Sequence, residues 1–124
     1  APGIATVALT TQRPGEDRIE VGRPGPSPWL GGLDVDDFGG SLPKLVKASG
    51  ASVWSPNYLD IEAKLVEEAH GLGLTVVPWT LAETADMERI LAMGVDGIIS
   101  DRPDRLRAVL QARGIPVPPL TAVR

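Results

Sequence analysis

The sequence contains no cysteine and only one histidine among its 124 residues. The absence of cysteine excludes disulfides and thiolate chemistry, and it fits either a reducing or an oxidising compartment. No stretch approaches the run of about 18 apolar residues that a membrane-spanning helix needs. The net charge of −4 lacks the basic excess expected of a partner for nucleic acids or anionic membranes. The composition predicts a globular domain in the cytoplasm, with a periplasmic or secreted location left open.

Several familiar signatures of catalysis are also missing from the chain. There is no phosphate-binding P-loop, no pair of histidines at metal-ligand spacing, and no Gly-x-Ser-x-Gly elbow. Asp34, Asp36 and Asp37 offer carboxylates, but without a glutamate or a loop-glycine pattern they indicate a solvated acidic loop more than a metal site. These patterns therefore predict no metal ligand in this chain.

The clearest pattern lies between Leu74 and Asp104. Short apolar runs without polar alternation contain Val76 and Val77 within residues 74–79, and Ile98 and Ile99 within residues 95–100. Such runs are typical of parallel strands covered on both faces. The dozen residues between them carry apolar side chains at helical spacing, and a helical crossover is the usual connection between parallel strands. We interpret the segment as a strand–helix–strand unit.

The same unit repeats along the chain. Apolar runs at 4–9 and 51–54 predict two earlier strands, and helical patterns start near Leu42, Asp60, Thr84 and Pro103. Asp60 and Asp101 are expected to satisfy free backbone N–H groups at helix starts. There are about four such β/α units, which predict an α/β fold with a parallel sheet. This sheet is either a small open sheet or half of a closed barrel.

We treat residues 1–124 as a single, partial domain. The Gly/Pro-rich stretch 10–41 predicts a long loop, either a functional lid or a mobile segment, on the face where the strands end. Residues 115–124 carry three prolines and predict an extended tail. The first residues, Ala1, Pro2 and Gly3, lack a methionine and a signal pattern, which suggests a processed or cut end.

Several short motifs carry a resemblance to a known family. VVPWT, followed a helix later by GVDGIISDRPD, resembles the C-terminal end of the glycerophosphodiester phosphodiesterases, and LVEEAHGLGLTVVPWT looks like the same family. ASVWSPNYLDI is similar to the preceding strand and loop. The resemblance implies a (β/α)8 TIM barrel of which this chain is the C-terminal half. It also implies hydrolysis of glycerophosphodiesters to glycerol 3-phosphate and an alcohol.

The resemblance further implies a divalent cation, Mg²⁺ or Ca²⁺, and two catalytic histidines. The family's His-Arg and Glu-x-Asp motifs, which carry most of that site, are absent from this chain. The resemblance therefore implies no catalytic residue in this chain, and we expect the isolated chain to be inactive. Half a barrel leaves two strand edges unpaired, so we expect it to associate with the missing N-terminal half or with itself.

Four residues at the ends of predicted strands are candidates for substrate binding. Trp79 and Trp54 offer apolar walls, Asn57 offers an amide, and Arg102 offers a guanidinium for a phosphate. His70 falls near the end of its helix, on the opposite side of the sheet, where a structural role is expected. The alternative to an enzyme fragment is a non-catalytic half-barrel that binds a ligand or dimerises.

Overall fold

The computed structural model describes residues 3–120 and contains three strands and four α-helices. The strands are β1 (Val7–Thr10), β2 (Val53–Pro56) and β3 (Thr75–Val76). The helices are α1 (Leu42–Ala48), α2 (Ala63–Gly71), α3 (Thr84–Leu91) and α4 (Pro103–Ala112). The predicted order of strands and helices is confirmed, apart from the fourth strand.

The strands form one parallel sheet in the order β1-β2-β3. Val7 lies opposite Val53, which in turn lies opposite Thr75, and Trp54 lies opposite Val76. Beyond β3 the chain continues beside β2, because Trp79 and Asn57 form a further parallel bridge. The predicted α/β class and the parallel pairing are confirmed.

The predicted strand at 95–100 is not a regular strand. It lies beside β3, where Asp96 and Ile99 donate their N–H groups to the carbonyls of Val76 and Pro78, both at 2.9 Å. The Asp96 carboxylate also accepts the Val76 N–H at 2.8 Å, at a position where a neighbouring strand would present a carbonyl. A side chain thus replaces part of the ladder, and we call residues 95–100 the fourth segment.

The helices cover one face of the sheet. Trp54 and Val76 on that face are fully buried, whereas Val7 and Leu9 on the opposite face are 50% and 65% exposed. Successive residues of a strand point to opposite faces, which explains this contrast. The core side chains that the helices contribute are Leu42, Leu45, Val46, Val66, Ala69, Met87, Ile90 and Val109.

Local sequence explains how some helices begin and end. Ser41 caps α1 by accepting the Lys44 N–H, and Gly94 follows α3 in the left-handed conformation at φ 87°. The predicted caps are wrong at two positions. Glu62 precedes α2 in place of Asp60, and Arg102 precedes α4, where the Ser100 hydroxyl accepts the Arg102 N–H at 2.9 Å.

The long loop packs against the core at two points. Ile19 and Val35 are 2% and 1% exposed, and Val35 begins a short 3₁₀ turn, Val35–Phe38. Between these anchors, Ser27 donates its hydroxyl to the Arg18 carbonyl at 2.6 Å. The part of the predicted tail at 115–120 has no regular structure, and its last four residues lie outside the described range.

Candidate functional site

The ends of the strands and the turns that follow them meet at the carboxyl end of the sheet, which we call the rim. The rim consists of residues 10–13 at the end of β1, 57–60 after β2, 79–81 beyond β3, and 100–102 at the end of the fourth segment. Parallel bridges from Asn57 to Trp79 and from Leu81 to Ser100 hold three of these turns side by side. Carboxyl ends of parallel strands are where α/β proteins bind ligands.

Trp79 is the most firmly held aromatic residue on the rim. Its indole Nε1 donates to the Ser55 carbonyl at 2.8 Å, its backbone N–H to Pro56 at 3.0 Å, and its carbonyl accepts the Tyr58 N–H at 2.7 Å. The side chain is half-buried. A ring fixed in this way offers a rigid apolar surface to a ligand above the sheet.

Asn57 lies next to Trp79 and is 8% exposed. Its backbone N–H donates to the Thr10 carbonyl at 2.8 Å, and its side-chain Oδ1 accepts the Leu59 N–H at 3.0 Å. The side-chain amide group therefore keeps its N–H donors for another partner. Among the candidates from the sequence, Asn57 and Trp79 are brought together by the fold.

Trp54 lies below the rim and is completely buried. Its Nε1 donates to the Thr10 Oγ1 at 2.9 Å, a buried bond that joins β2 to the end of β1. The ring belongs to the core cluster with Val76 and Val46. Its position supports the neighbouring strand ends and gives it no exposed surface in this chain.

Arg102 stands at the start of α4 and is exposed. It forms a bidentate pair with Asp104, from Nε to Oδ1 at 3.0 Å and from Nη2 to Oδ2 at 2.8 Å. The hydrogen bonds from this guanidinium lower the pKa of Asp104 to about 2, and the same contacts raise the pKa of Arg102. A phosphate approaching Arg102 would compete with this carboxylate.

The sequence interpretation missed a second arginine on the rim. Arg13 approaches Asp60, with 2.6 Å between Nη2 and Oδ1, and the Asp60 side chain is only 3% exposed. The Asp60 Oδ2 also accepts the Gln12 N–H at 2.8 Å. Asp60 thus ties the long loop to the turn after β2, a role that its helix-start position in the sequence concealed.

His70 lies on the side of the sheet opposite the rim, as its place at the end of α2 predicted. Its Nε2 lies 2.7 Å from the Asp96 Oδ2, which also accepts the Val76 N–H. Burial tends to raise the pKa of Asp96, but the hydrogen bonds from Val76 and His70 outweigh it and lower this pKa. The pair joins α2 to the fourth segment and is remote from the rim.

Within residues 3–120, no group of three or more histidine, aspartate or glutamate side chains could hold a metal ion. The Asp36 carboxylate instead accepts the Gly22 N–H at 2.8 and 3.0 Å, and the Asp34 carboxylate accepts the Asp36 N–H. In this described range no helix is both long enough and apolar enough to cross a membrane. The carboxylates in the described part of the chain therefore do not fit a divalent-cation site by themselves.

Taken together, the rim offers an apolar ring, a side-chain amide and a guanidinium. These groups can bind and orient a polar ester, whereas the chain's single histidine lies on the other side of the sheet.

Two curated proteins are similar to part of this chain. A curated glycerophosphodiester phosphodiesterase of Caldanaerobacter subterraneus subsp. tengcongensis is 41% identical over 59 residues, which cover 48% of this chain and 24% of the relative. A protein assigned as glycerophosphodiester phosphodiesterase 2 of Mycobacterium tuberculosis is 53% identical over 45 residues, 36% of this chain and 17% of the relative. The matched part of this chain thus spans less than a quarter of the length of each of these two relatives.

Solved structures give a longer match. A crystal structure assigned as a glycerophosphoryl diester phosphodiesterase of Silicibacter pomeroyi DSS-3 is 36% identical, with a TM-score of 0.70 over 93% of this chain and 33% of its own. An Oleispira antarctica phosphodiesterase, solved with its product sn-glycerol-3-phosphate, shares the fold at 14% identity and a TM-score of 0.59, over 89% of this chain and 34% of its own.

The sequence model of the glycerophosphoryl diester phosphodiesterase family matches residues 33–105, more than half of the chain. This match contains the turns after β2 and β3 and the start of α4, which together form most of the rim. The chain therefore belongs to the glycerophosphoryl diester phosphodiesterase family.

Proposed function

We propose that this chain is the C-terminal part of a metal-dependent glycerophosphodiester phosphodiesterase, which hydrolyses glycerophosphodiesters to glycerol 3-phosphate and an alcohol. The observation that carries the proposal is the family match across the rim, together with the fixed position of Trp79. The chain supplies one wall of the substrate pocket.

The architecture proposed for this part is half of a (β/α)8 barrel. Three parallel strands and the fourth segment, with helices on one face only, fit about half of an eight-stranded barrel. The Silicibacter relative supports a partial fold, because the chain aligns with only 33% of its length. The remaining strands of the barrel would come from a complementary N-terminal half.

The substrate contacts are assigned to the rim. Trp79 would pack against the glycerol or the alcohol, the Asn57 amide would donate to a hydroxyl or ester oxygen, and Arg102 would pair with the phosphate. Trp54 would shape this wall from below. The Oleispira relative holds sn-glycerol-3-phosphate, which supports an assignment to the glycerol 3-phosphate moiety.

The catalytic acid and base and the ligands of the divalent cation are assigned to the complementary half. In support, the one histidine of this chain is paired with Asp96 away from the rim, and residues 3–120 hold no cluster suited to a cation. The isolated chain should therefore bind no catalytic Mg²⁺ or Ca²⁺ and release no glycerol 3-phosphate.

Complementation is the direct test of this function. The chain would be co-expressed with the N-terminal half of the Silicibacter relative and assayed for release of glycerol 3-phosphate with Mg²⁺ and with Ca²⁺. Activity should need both halves. Release by this chain alone would show that the catalytic assignment is wrong, and full release by the complementary half alone would show that the rim is not needed.

Trp79→Ala in the complemented enzyme tests the assigned wall. Its loss of apolar contact should reduce kcat/KM at least about tenfold, since burying a side chain of this size is worth 1.4 kcal/mol or more. Val21→Ala, at an apolar side chain on the long loop that is 49% exposed, is the control and should change kcat/KM little. Equal effects of the two substitutions would remove the case for Trp79.

A non-catalytic binding or dimerisation module is the second candidate. It is favoured by one observation, the apolar side chains exposed along both edges of the sheet. If the complemented protein assembles but neither half adds activity to the other, this reading replaces the enzyme fragment.

A further inference from the structure

Three polar side-chain atoms on the rim are buried without a hydrogen-bond partner. They are the Thr11 Oγ1, the Arg13 Nε and the Asp60 Oδ1, and within residues 3–120 no other buried side-chain nitrogen or oxygen lacks a partner. The Asp60 Oδ1 lies 2.6 Å from the Arg13 Nη2, so the charges meet without the alignment of a hydrogen bond. Unpaired polar atoms are costly, and those that native proteins retain commonly mark a ligand, a water or a functional role. Their concentration at one place on the rim points to binding.

A fixed carboxylate orients Arg13. The Asp60 side chain is only 3% exposed, and its Oδ2 accepts the Gln12 N–H at 2.8 Å, so its position does not depend on the arginine. The Arg13 side chain is 40% exposed and therefore reaches the surface of the rim. A guanidinium carries several N–H donors in a rigid fork, and Asp60 faces only one of its nitrogens. Donors thus remain for a second oxygen ligand.

Arg13 lies at the junction of β1 and β2. The Asn57 N–H donates to the Thr10 carbonyl at 2.8 Å, and Asp60 belongs to the turn that Asn57 begins. The contact with Asp60 therefore holds the guanidinium over the turn after β2 and away from the open edge of β1. Its neighbours on this side all come from the chain itself.

Arg13 and Arg102 stand at opposite ends of the rim. The strand order places the turns after β2 and β3 between them, and three spacings between neighbouring strands separate their backbones by about 14 Å along the sheet. Each guanidinium is held at its own end, Arg13 by Asp60 and Arg102 by Asp104. A phosphate paired with Arg102 therefore leaves Arg13 to a different part of the substrate.

We propose that Arg13 is a specificity-determining residue that binds a carboxylate on the alcohol moiety of the substrate, with Asp60 as its positioning residue. The inference rests on the proposed function, which assigns the phosphate to Arg102. A planar carboxylate matches the fork of a guanidinium, and a turn of this group towards the ligand gives the unpaired Nε an acceptor. The unpaired Thr11 hydroxyl is a second donor beside it. Since Asp60 already balances the charge of Arg13, a doubly charged phosphate is disfavoured here.

Two glycerophosphodiesters that differ in one group test the proposal in the complemented enzyme. Their alcohols are glycolate and ethylene glycol, so a carboxylate replaces a hydroxymethyl group, and the original chain should prefer the glycolate ester. Arg13→Gln should lower kcat/KM for that ester at least about tenfold, the loss expected for a charge-assisted hydrogen bond, and for the neutral ester less than about threefold. Arg18→Gln, at an exposed arginine of the same loop whose guanidinium lies 4.4 Å from the Trp29 ring, is the matched control and should keep the preference. Equal losses for both esters with Arg13→Gln, or no preference in the original chain, would overturn the assignment.

Arginine side-chain NMR on the chain alone separates this outcome from that of the proposed function. The Nε–H resonance of Arg13, assigned by its loss in Arg13→Gln, should shift on titration with the glycolate ester and much less with the neutral ester. Circular dichroism checks that the variant folds, and Arg13→Lys, which keeps the charge without the fork, should retain only part of the preference. A shift without hydrolysis by the complemented enzyme would support the carboxylate site and count against the enzyme. Equal hydrolysis of both esters without a shift would overturn the role of Arg13 and leave the proposed function standing.

Discussion

The bond between Trp54 and Thr10 offers a quantitative test of how the rim is built. The indole N–H donates to the threonine hydroxyl at 2.9 Å, both residues are at least 96% buried, and they belong to neighbouring strands. If the bond holds these strand ends together, the effects of removing either partner should not be additive.

The expected magnitudes follow from burial. Trp54→Phe leaves the Thr10 hydroxyl without its donor, at about 1–3 kcal/mol, and it also leaves a small cavity. Thr10→Val keeps the shape of the side chain and leaves the indole N–H unpaired, at about 1–3 kcal/mol as well. The double variant should be less destabilised than the sum of the two single changes by about 1 kcal/mol.

Urea unfolding followed by circular dichroism, at one fixed protein concentration, gives the four free energies of unfolding. A fixed concentration is needed because self-association would shift the midpoint. Thr10→Ser, which keeps the hydroxyl, serves as the control and should lose less than Thr10→Val. Strictly additive single effects would refute the role of this bond.

Three further predictions concern charged groups. Asp60→Asn should speed proteolytic cleavage of the long loop at least several-fold, because the Asp60 carboxylate holds that loop to the turn after β2. Limited digestion measures the cleavage rate, and an unchanged rate would contradict this role. Since the pKa of Asp96 is lowered in the folded state, its contribution to stability is present above about pH 4 and is lost as the pH falls through the folded pKa. His70→Ala should reduce this loss of stability at low pH, measured by urea unfolding at several pH values. If the stability of the variant fell with pH as steeply as that of the original chain, the His70–Asp96 pair would not be its source. Arg102→Ala should raise the pKa of Asp104 from about 2 towards 3.8, which carboxyl NMR titration can follow.

The sequence predicted the parts of the fold that depend on periodicity. The apolar runs predicted the first and last residues of β1 and β2 to within three residues of those observed, and helical spacing located α1 to α4. The same reasoning failed at 95–100, because an apolar run does not reveal that the Asp96 side chain takes the Val76 N–H. A side chain that replaces a carbonyl depends on the neighbouring strand, which local patterns do not contain.

The candidate site was predicted in the same uneven way. Trp79 and Asn57 were found because each follows a strand, and parallel strands end at the same edge. The pairing of Arg13 with Asp60 was missed, since 46 intervening residues separate partners whose contact requires the folded loop. Trp54 is the last residue of an apolar run, but the alternation of the strand turns its ring towards the helices, so its complete burial could be learned only from the structure.

The three tryptophans occupy three different environments: Trp54 is completely buried, Trp79 is half-buried on the rim, and Trp29 is 62% exposed on the long loop. Indole fluorescence can therefore report separately on different events. Emission from Trp54 would follow unfolding, that from Trp79 would respond to a ligand, and quenching of Trp29 would show whether a partner covers the long loop. With single-tryptophan variants, assembly, ligand binding and stability become readable as three optical signals from one chain.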